Sequence, residues 1–198
     1  MDGREKIGLF GGSFDPIHTG HLILAESARS WIGLERIIFL PTAIPPHKNH
    51  TGMTSYEVRA RMVELAIEDN PNFELSTLEG QWRVSYTYET VLHFKDEGYG
   101  KEQVHLLIGS DTLGEIHSWK NPELIFSHAT IVVLMRPGYE KLPILPDGAA
   151  VVMIETGSNS ISATEIRKRV SEKRSIRYLV PGSVERFIQE HSLYSHPA

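Results

Sequence analysis

Ile7-Gly8-Leu9-Phe10-Gly11-Gly12-Ser13-Phe14-Asp15-Pro16-Ile17-His18-Thr19-Gly20-His21 runs from an apolar stretch through a glycine-rich turn into helical spacing at Leu22, Ala25, Ala28 and Ile32. A strand, a turn and a helix in that order leave the first N–H groups of the helix unpaired and partially positive. An anion resting there is stabilised without any side chain. Gly11 and Gly12 allow a phosphate to approach the backbone closely. Thr19 is a candidate cap for the helix, and His18 and His21, three residues apart at its mouth, add donors on one side of a bound group, and charge if protonated. The stretch predicts a polyphosphate site at the end of a first strand.

Further apolar, β-branched runs recur at Arg36 to Leu40, Val104 to Ile108, Thr130 to Met135 and Val151 to Ile154, with helical patterns between several of them. Strands alternating with helices predict a parallel α/β sheet. Continuous apolar runs suit strands covered on both faces, and such sheets bind ligands beyond the carboxyl ends of their strands. Thr54 with Glu57 predicts a capping box before Val58 to Ile67, and Ser162 with Glu165 predicts another. Pro181 reads as the first turn of a last helix with an apolar stripe at Val184, Phe187 and Ile188. Pro41 to Met53 and Pro137 to Gly148 read as loops long enough to close over a ligand.

Composition bounds the partners. At 198 residues and 40% hydrophobic content, one domain over residues 1–198 is expected, with a helical C-terminal part at about 162–194. A net charge of -5 argues against a general nucleic-acid or membrane surface, so any anion site must be local. The chain has no cysteine, hence no disulfide or thiolate metal site, which fits a reducing compartment. Met1 to Lys6 lead directly into a strand without a signal region, and no later run approaches membrane-spanning length. Cytoplasmic localisation is the expectation, and a homo-oligomer stays open.

Several short segments add chemistry. Ile161-Ser162-Ala163-Thr164-Glu165-Ile166-Arg167 sets two hydroxyls at a helix start and a guanidinium a turn later, a pattern for clamping phosphate oxygens; the plain alternative is a capped helix with a surface arginine. Lys48, in Pro45-Pro46-His47-Lys48, lies on a proline-stiffened loop and could reach an incoming phosphate, or be a solvated lysine. Gly109 and Asp111 sit at the ligand-facing end of a strand, and Trp119 follows a short helical pattern. His18 with His21 and His47 with His50 form two His-x-x-His pairs that could instead hold zinc. A Walker loop, a dinucleotide fingerprint and a nucleophile elbow are all missing.

Gly11 to His21 resembles the signature of the nucleotidyltransferase superfamily marked by His-x-Gly-His, and most of all its bacterial nicotinate-nucleotide adenylyltransferases. Pro45 to Lys48, Ser85-Tyr86-Thr87, Asp111, Trp119, Arg136-Pro137-Gly138, the Ile161 to Arg167 clamp and Tyr178-Leu179-Val180-Pro181 to Leu193-Tyr194 are similar to family motifs in the same order. Tyr88 and Glu89 depart from the usual aliphatic residue and Asp, and Arg83-Val84 replaces a usual Gly-Pro. The resemblance implies a single Rossmann-like, doubly wound parallel sheet with helices on both faces and a C-terminal helical segment. It implies adenylyl transfer from ATP to nicotinate mononucleotide, with Mg²⁺ bound mainly through the ATP phosphates.

By the same resemblance, Gly11, Gly12, Ser13, Phe14, His18, His21, Gly109, Asp111, Arg136, Ser162, Thr164 and Arg167 contact ATP, with His18, His21 and Arg167 catalytic. Lys48, Ser85, Tyr86, Thr87 and Trp119 contact the acceptor, Trp119 stacking on the pyridine ring. A nicotinamide mononucleotide or dual-specificity enzyme, a phosphopantetheine adenylyltransferase and an ATP-binding sensor are the competing readings.

Overall fold

The apolar runs form strands β1 (Ile7–Gly12), β2 (Arg36–Pro41), β4 (Val104–Gly109), β5 (Thr130–Met135) and β6 (Val151–Glu155). A computed structural model describes residues 5–43, 52–82, 84–135, 148–155 and 161–195. A further strand, β3 (Phe73–Leu75), joins the edge beside β2; three half-buried or exposed residues are too few to leave a periodic signal in the sequence. Among the described residues the helices are α1 (Thr19–Ile32), α2 (Tyr56–Ile67), α3 (Thr87–Asp96), α4 (Ser110–Leu113), α5 (Pro122–His128), α6 (Ala163–Ser171) and α7 (Gly182–Glu190). Every strand pair is parallel, in the order β3-β2-β1-β4-β5-β6. This is the doubly wound Rossmann order, as expected.

Alternation along each strand sends side chains to two cores. Phe10, Ile37, Phe39 and Leu107 pack with Leu24, Ala25 and Ala28 of α1, Met62 and Val63 of α2, Ile166 of α6, and Val184 and Ile188 of α7. Ile7, Leu9, Ile38, Leu106 and Ile131 pack on the opposite face with Val91 and Phe94 of α3 and Ile125 and Phe126 of α5. Each fully buried large aliphatic or aromatic side chain contributes about 1.5–3 kcal/mol, so both layers are held firmly. Gly8 is set by packing, because a Cβ there would lie 2.5 Å from Ile37 Cδ1.

Four helix starts differ from their expected form. His18, not Thr19, is the N-cap of α1: its N–H donates to His21 Nδ1 at 3.2 Å. Thr19 is drawn away to the C-terminal segment, its N–H to Leu179 O at 2.9 Å and its hydroxyl to Tyr178 O at 3.2 Å. Ser55 precedes α2 without a side-chain cap, because Thr54 donates its N–H to Asp15 and accepts Arg59 through its carbonyl. Pro181 sits at the N-cap of α7, one residue before its first turn. Ser162 does cap α6, accepting from Glu165 N at 3.2 Å, but the Glu165 carboxylate turns to Arg169 and does not return to the cap.

Strand order reverses between β1 and β4. In doubly wound sheets the crevice beyond the strand ends at that reversal is where ligands bind. Here it is bounded by Gly11 and Gly12 of β1 and Gly109 of β4.

Candidate active site

A cavity of about 480 Å³ opens at this reversal. Gly11, Gly12, Ser13, Phe14, His18 and His21 line one side, Gly109 and Trp119 another, with Ser85, Tyr86 and Thr87 at the start of α3 and Ser162 at the start of α6. The structure thus brings the glycine-rich turn, the α6 start and the Ser-Tyr-Thr segment, separated by up to about 150 positions, around one space. A Cβ at Gly11 would meet nothing within 4 Å, so its glycine leaves room and is not demanded by packing.

The turn is stiffened by aromatic packing. Phe14 takes a left-handed φ of 46°, a costly conformation for a bulky residue, and is buried with its ring 5.8 Å from Phe10, 5.9 Å from Phe39 and 5.1 Å from His21. The His18 and His21 rings stack with centroids 3.6 Å apart. Because His21 Nδ1 accepts from the His18 N–H, its neutral ring carries the proton on Nε2. That leaves an N–H donor at the helix mouth, suited to a phosphate oxygen.

Arg167 does not line the cavity wall with Ser162; it crosses to the turn. Its Nη1 donates to Asp15 O at 2.7 Å and its Nη2 contacts Thr164 Oγ1 at 3.4 Å. These contacts fix the guanidinium between α6 and the turn and occupy two of its five N–H donors. Ser162 lines the cavity while Thr164 stands exposed two residues along. Asp111 lies in α4 just past β4. His47, Lys48, His50 and Arg136 lie outside the described residues. Among the described residues no group of three or more His, Asp or Glu forms a metal cluster.

Two groups that sequence reasoning passed over organise this site. Arg59 of α2 is fully buried and donates to three carbonyls: Ser13 at 2.7 Å, Thr54 at 2.9 Å and Ala43 at 3.1 Å. Burial pulls its pKa down while the charge of Asp15 holds it up. Asp15, itself buried, accepts the Tyr194 hydroxyl at 2.6 Å, and burial together with that carboxylate raises the phenol well above its ordinary pKa. Nothing in the spacing of α2 distinguishes Arg59 from a surface arginine; only the folded turns do.

Glu79, in a 3-10 turn at Leu78–Gln81, is the second. It is a buried carboxyl in the cavity wall that accepts the Thr90 hydroxyl at 2.8 Å and the Ser85 hydroxyl, while Ser85 Oγ in turn accepts the Ala43 N–H at 3.0 Å. Burial raises its pKa above the usual carboxylate value, against the two hydroxyl contacts. The folded chain therefore keeps this proton to a higher pH than the unfolded chain. Its contribution to stability is full at low pH and falls as pH rises from the ordinary carboxylate pKa, about 4.3, through the raised one. Glu79→Gln removes that dependence, so the stability difference between variant and parent is expected to move in the variant's favour by up to about 1.4 kcal/mol per pH unit within the window. Urea melts at a series of pH values check it; parallel curves for the two proteins contradict it.

A cytidylyltransferase-like family model matches residues 9–169. A protein of Exiguobacterium sibiricum named "Probable nicotinate-nucleotide adenylyltransferase" is 39% identical over 191 residues, covering 96% of this chain and 99% of that protein. The chain belongs to the nicotinate-nucleotide adenylyltransferase family. A relative of the same name from Thermus thermophilus is 39% identical over 194 residues, covering 96% of this chain and 99% of its own length. Among solved structures, the Plasmodium falciparum nicotinic acid mononucleotide adenylyltransferase complexed with NaAD aligns with a TM-score of 0.79 at 19% identity, covering 98% of this chain and 99% of that one. At that identity it shows the shared fold of the adenylyltransferase family. Among the described residues no helix is long and apolar enough to cross a membrane.

Proposed function

We propose that the chain transfers the adenylyl group of ATP to nicotinate mononucleotide, giving nicotinate adenine dinucleotide and pyrophosphate in NAD biosynthesis. The observation that carries the site reading is the meeting of two helix starts, His18 of α1 and Ser162 of α6, on one cavity at the strand reversal, with Trp119 across from them. Two helix dipoles aimed at one space favour a polyanion, and an indole face suits a flat heteroaromatic ring.

The acceptor's phosphate is a nucleophile at neutral pH, so neither a covalent intermediate nor a strong base is required. One of its oxygens attacks the α-phosphorus of ATP, the new P–O bond forms, and the bond to pyrophosphate breaks in line with it. The barrier lies in aligning two polyanions and stabilising the spreading negative charge. His18 and His21 hold the α-phosphate oxygens over Gly11, Gly12, Ser13 and Phe14. Ser162, Thr164 and Arg167 hold the β and γ phosphates. Gly109, Asp111 and Arg136 border the adenosine, while Lys48 steers the acceptor and Ser85, Tyr86, Thr87 and Trp119 bind it. Mg²⁺ bound with ATP would supply charge neutralisation at the phosphates, and a cation that keeps several waters needs few ligands from this chain.

Arg167→Ala is expected to raise KM for ATP about 10- to 100-fold, the loss of hydrogen bonds to a charged group, with a smaller change for the acceptor. Lysine should not restore it, because a point charge cannot reproduce the planar fork. Initial-rate kinetics with each substrate varied decide this; an unchanged ATP dependence removes the clamp. The activity itself is tested by incubating the chain with ATP, Mg²⁺ and either pyridine mononucleotide. Pyrophosphate and dinucleotide in equal amounts, formed faster from the nicotinate form, are expected. Absence of dinucleotide from both acceptors overturns the proposal.

A further inference from the structure

His18 sits between two attachments made by one distant stretch of chain. After it, Thr19 donates its N–H to Leu179 O at 2.9 Å and its hydroxyl to Tyr178 O at 3.2 Å. Before it, the Asp15 carboxylate accepts the Tyr194 hydroxyl at 2.6 Å. Residues 178–194 thus hold the glycine-rich turn on both sides of the α1 N-cap. Asp15, Thr19 and Tyr194 are not among the residues that line the cavity, so any effect they have on a bound nucleotide passes through the turn.

Asp15 joins three elements at that turn. Its Oδ1 receives the Tyr194 hydroxyl, its Oδ2 receives the Thr54 N–H ahead of α2 at 3.3 Å, and its backbone carbonyl receives Arg167 Nη1 from α6 at 2.7 Å. Of the two donors to the carboxylate the phenol is the closer, and an O–H donating to an ionised acceptor at this length makes a bond roughly twice as strong as a neutral one. Burial and the Asp15 charge hold the phenol above its ordinary pKa, while the Thr54 hydroxyl and the Arg167 charge beside it pull the other way. The phenol therefore remains a donor at every working pH. Tyr194 takes a left-handed φ of 58°, costly for a bulky residue, and its ring packs on the core shared by α1, α2, α6 and α7. Its hydroxyl is held in place from behind.

We infer that Tyr194 is a positioning residue for the phosphate side of the site: its hydroxyl fixes Asp15, and through the Asp15 peptide it sets the His18 and His21 imidazoles against the Arg167 guanidinium. The inference rests on the proposed adenylyl-transfer reading of the cavity. One turn then governs both the groups assigned to the α-phosphate and the group assigned to the terminal phosphates. An in-line displacement is sensitive to such placement, since a shift of about 1 Å can cost up to about 10²-fold in rate. The acceptor side, at Ser85 to Thr87 and Trp119, is built on other elements and does not depend on this hydroxyl.

Tyr194→Phe keeps the ring and deletes the donor. Its kcat is expected to fall roughly 10-fold through misalignment. KM for ATP and the Kd of a non-hydrolysable ATP analogue, measured by calorimetry, are each expected to rise about 3- to 10-fold, while KM for the acceptor stays unchanged. Ser183→Ala is the control, because it removes another hydroxyl bond of the same stretch, to Leu65 O at 2.8 Å, away from the turn. It should lower the melting midpoint as Tyr194→Phe does but move neither KM nor the analogue affinity. In an Arg167→Ala background, Tyr194→Phe should add little further loss in ATP binding, because both act through the same bond to the turn. Unchanged ATP parameters in folded Tyr194→Phe, equal shifts for both substrates, a matching shift in Ser183→Ala, or losses that multiply in full with Arg167→Ala each overturn the positioning role. A wild-type chain that binds the analogue but forms no dinucleotide overturns the proposed reaction instead, and the analogue affinities of the variants still decide the role of Tyr194.

Discussion

Replacing His21 by alanine is expected to lower turnover about 10²- to 10³-fold, the loss that follows removal of one donor to developing negative charge. The Nε2–H of His21 is set by its Nδ1 contact with the His18 N–H at 3.2 Å, so the ring arrives with its donor already oriented. Its stacking on His18 and edge contact with Phe14 prevent the ring from swinging away. Alanine also leaves the His18 N–H without the His21 acceptor, at a cost of about 1 kcal/mol, and a modest drop in melting temperature accompanies the variant. His21→Asn separates the two effects: its side-chain oxygen can still accept the His18 N–H, but its amide is too short to replace the Nε2 donor. Turnover therefore stays low in Asn while stability recovers. Near-normal turnover in either folded variant would take His21 out of the mechanism.

Arg59→Met is expected to cost about 3–5 kcal/mol of stability, because three carbonyls in the interior lose a charged donor. Methionine fills part of the volume but donates nothing. The carbonyls of Ser13, Thr54 and Ala43 lose their shared donor, and the buried Asp15 loses the cation that compensates it. Because Ser13 belongs to the glycine-rich turn and Ala43 follows β2, activity should fall further than the folded fraction alone explains. Arg59→Lys restores the charge but can serve the three diverging carbonyls only poorly, and should recover less than half of the loss. Denaturant melts with activity measured on the same samples check this. A Met variant within about 1 kcal/mol of the parent would show that the guanidinium is not what holds the two turns together.

The glycine-rich turn and the α6 start that line the cavity are legible in the sequence because the parts of each are contiguous. Strand, glycine turn and helix follow one another from Ile7 to His21, and Ser162 caps its helix from within four residues. Local spacing carries such information. Arg59, Glu79, Asp15 and Tyr194 were not readable, since each acts through groups brought from elsewhere: Tyr194 reaches Asp15 across 179 positions. Thr19 does not cap α1, because His18 holds the N-cap position with its N–H bound by His21 Nδ1 and the C-terminal segment claims the Thr19 hydroxyl. β3 escaped notice because three residues at a sheet edge bury too little surface to leave a pattern. Arg167 was placed correctly at a helix one turn past the cap, but its bond to the Asp15 carbonyl, which ties that helix to the turn, had no local signature.

The central claim is that His18, His21 and Arg167 gather around a single triphosphate. A crystal structure of the chain with a non-hydrolysable ATP analogue measures this directly. The expected result is the α-phosphate within about 3 Å of His21 Nε2 and the terminal phosphates at Ser162 and the Arg167 guanidinium. A nucleotide bound away from these groups, or a zinc ion held between the imidazoles, would contradict it.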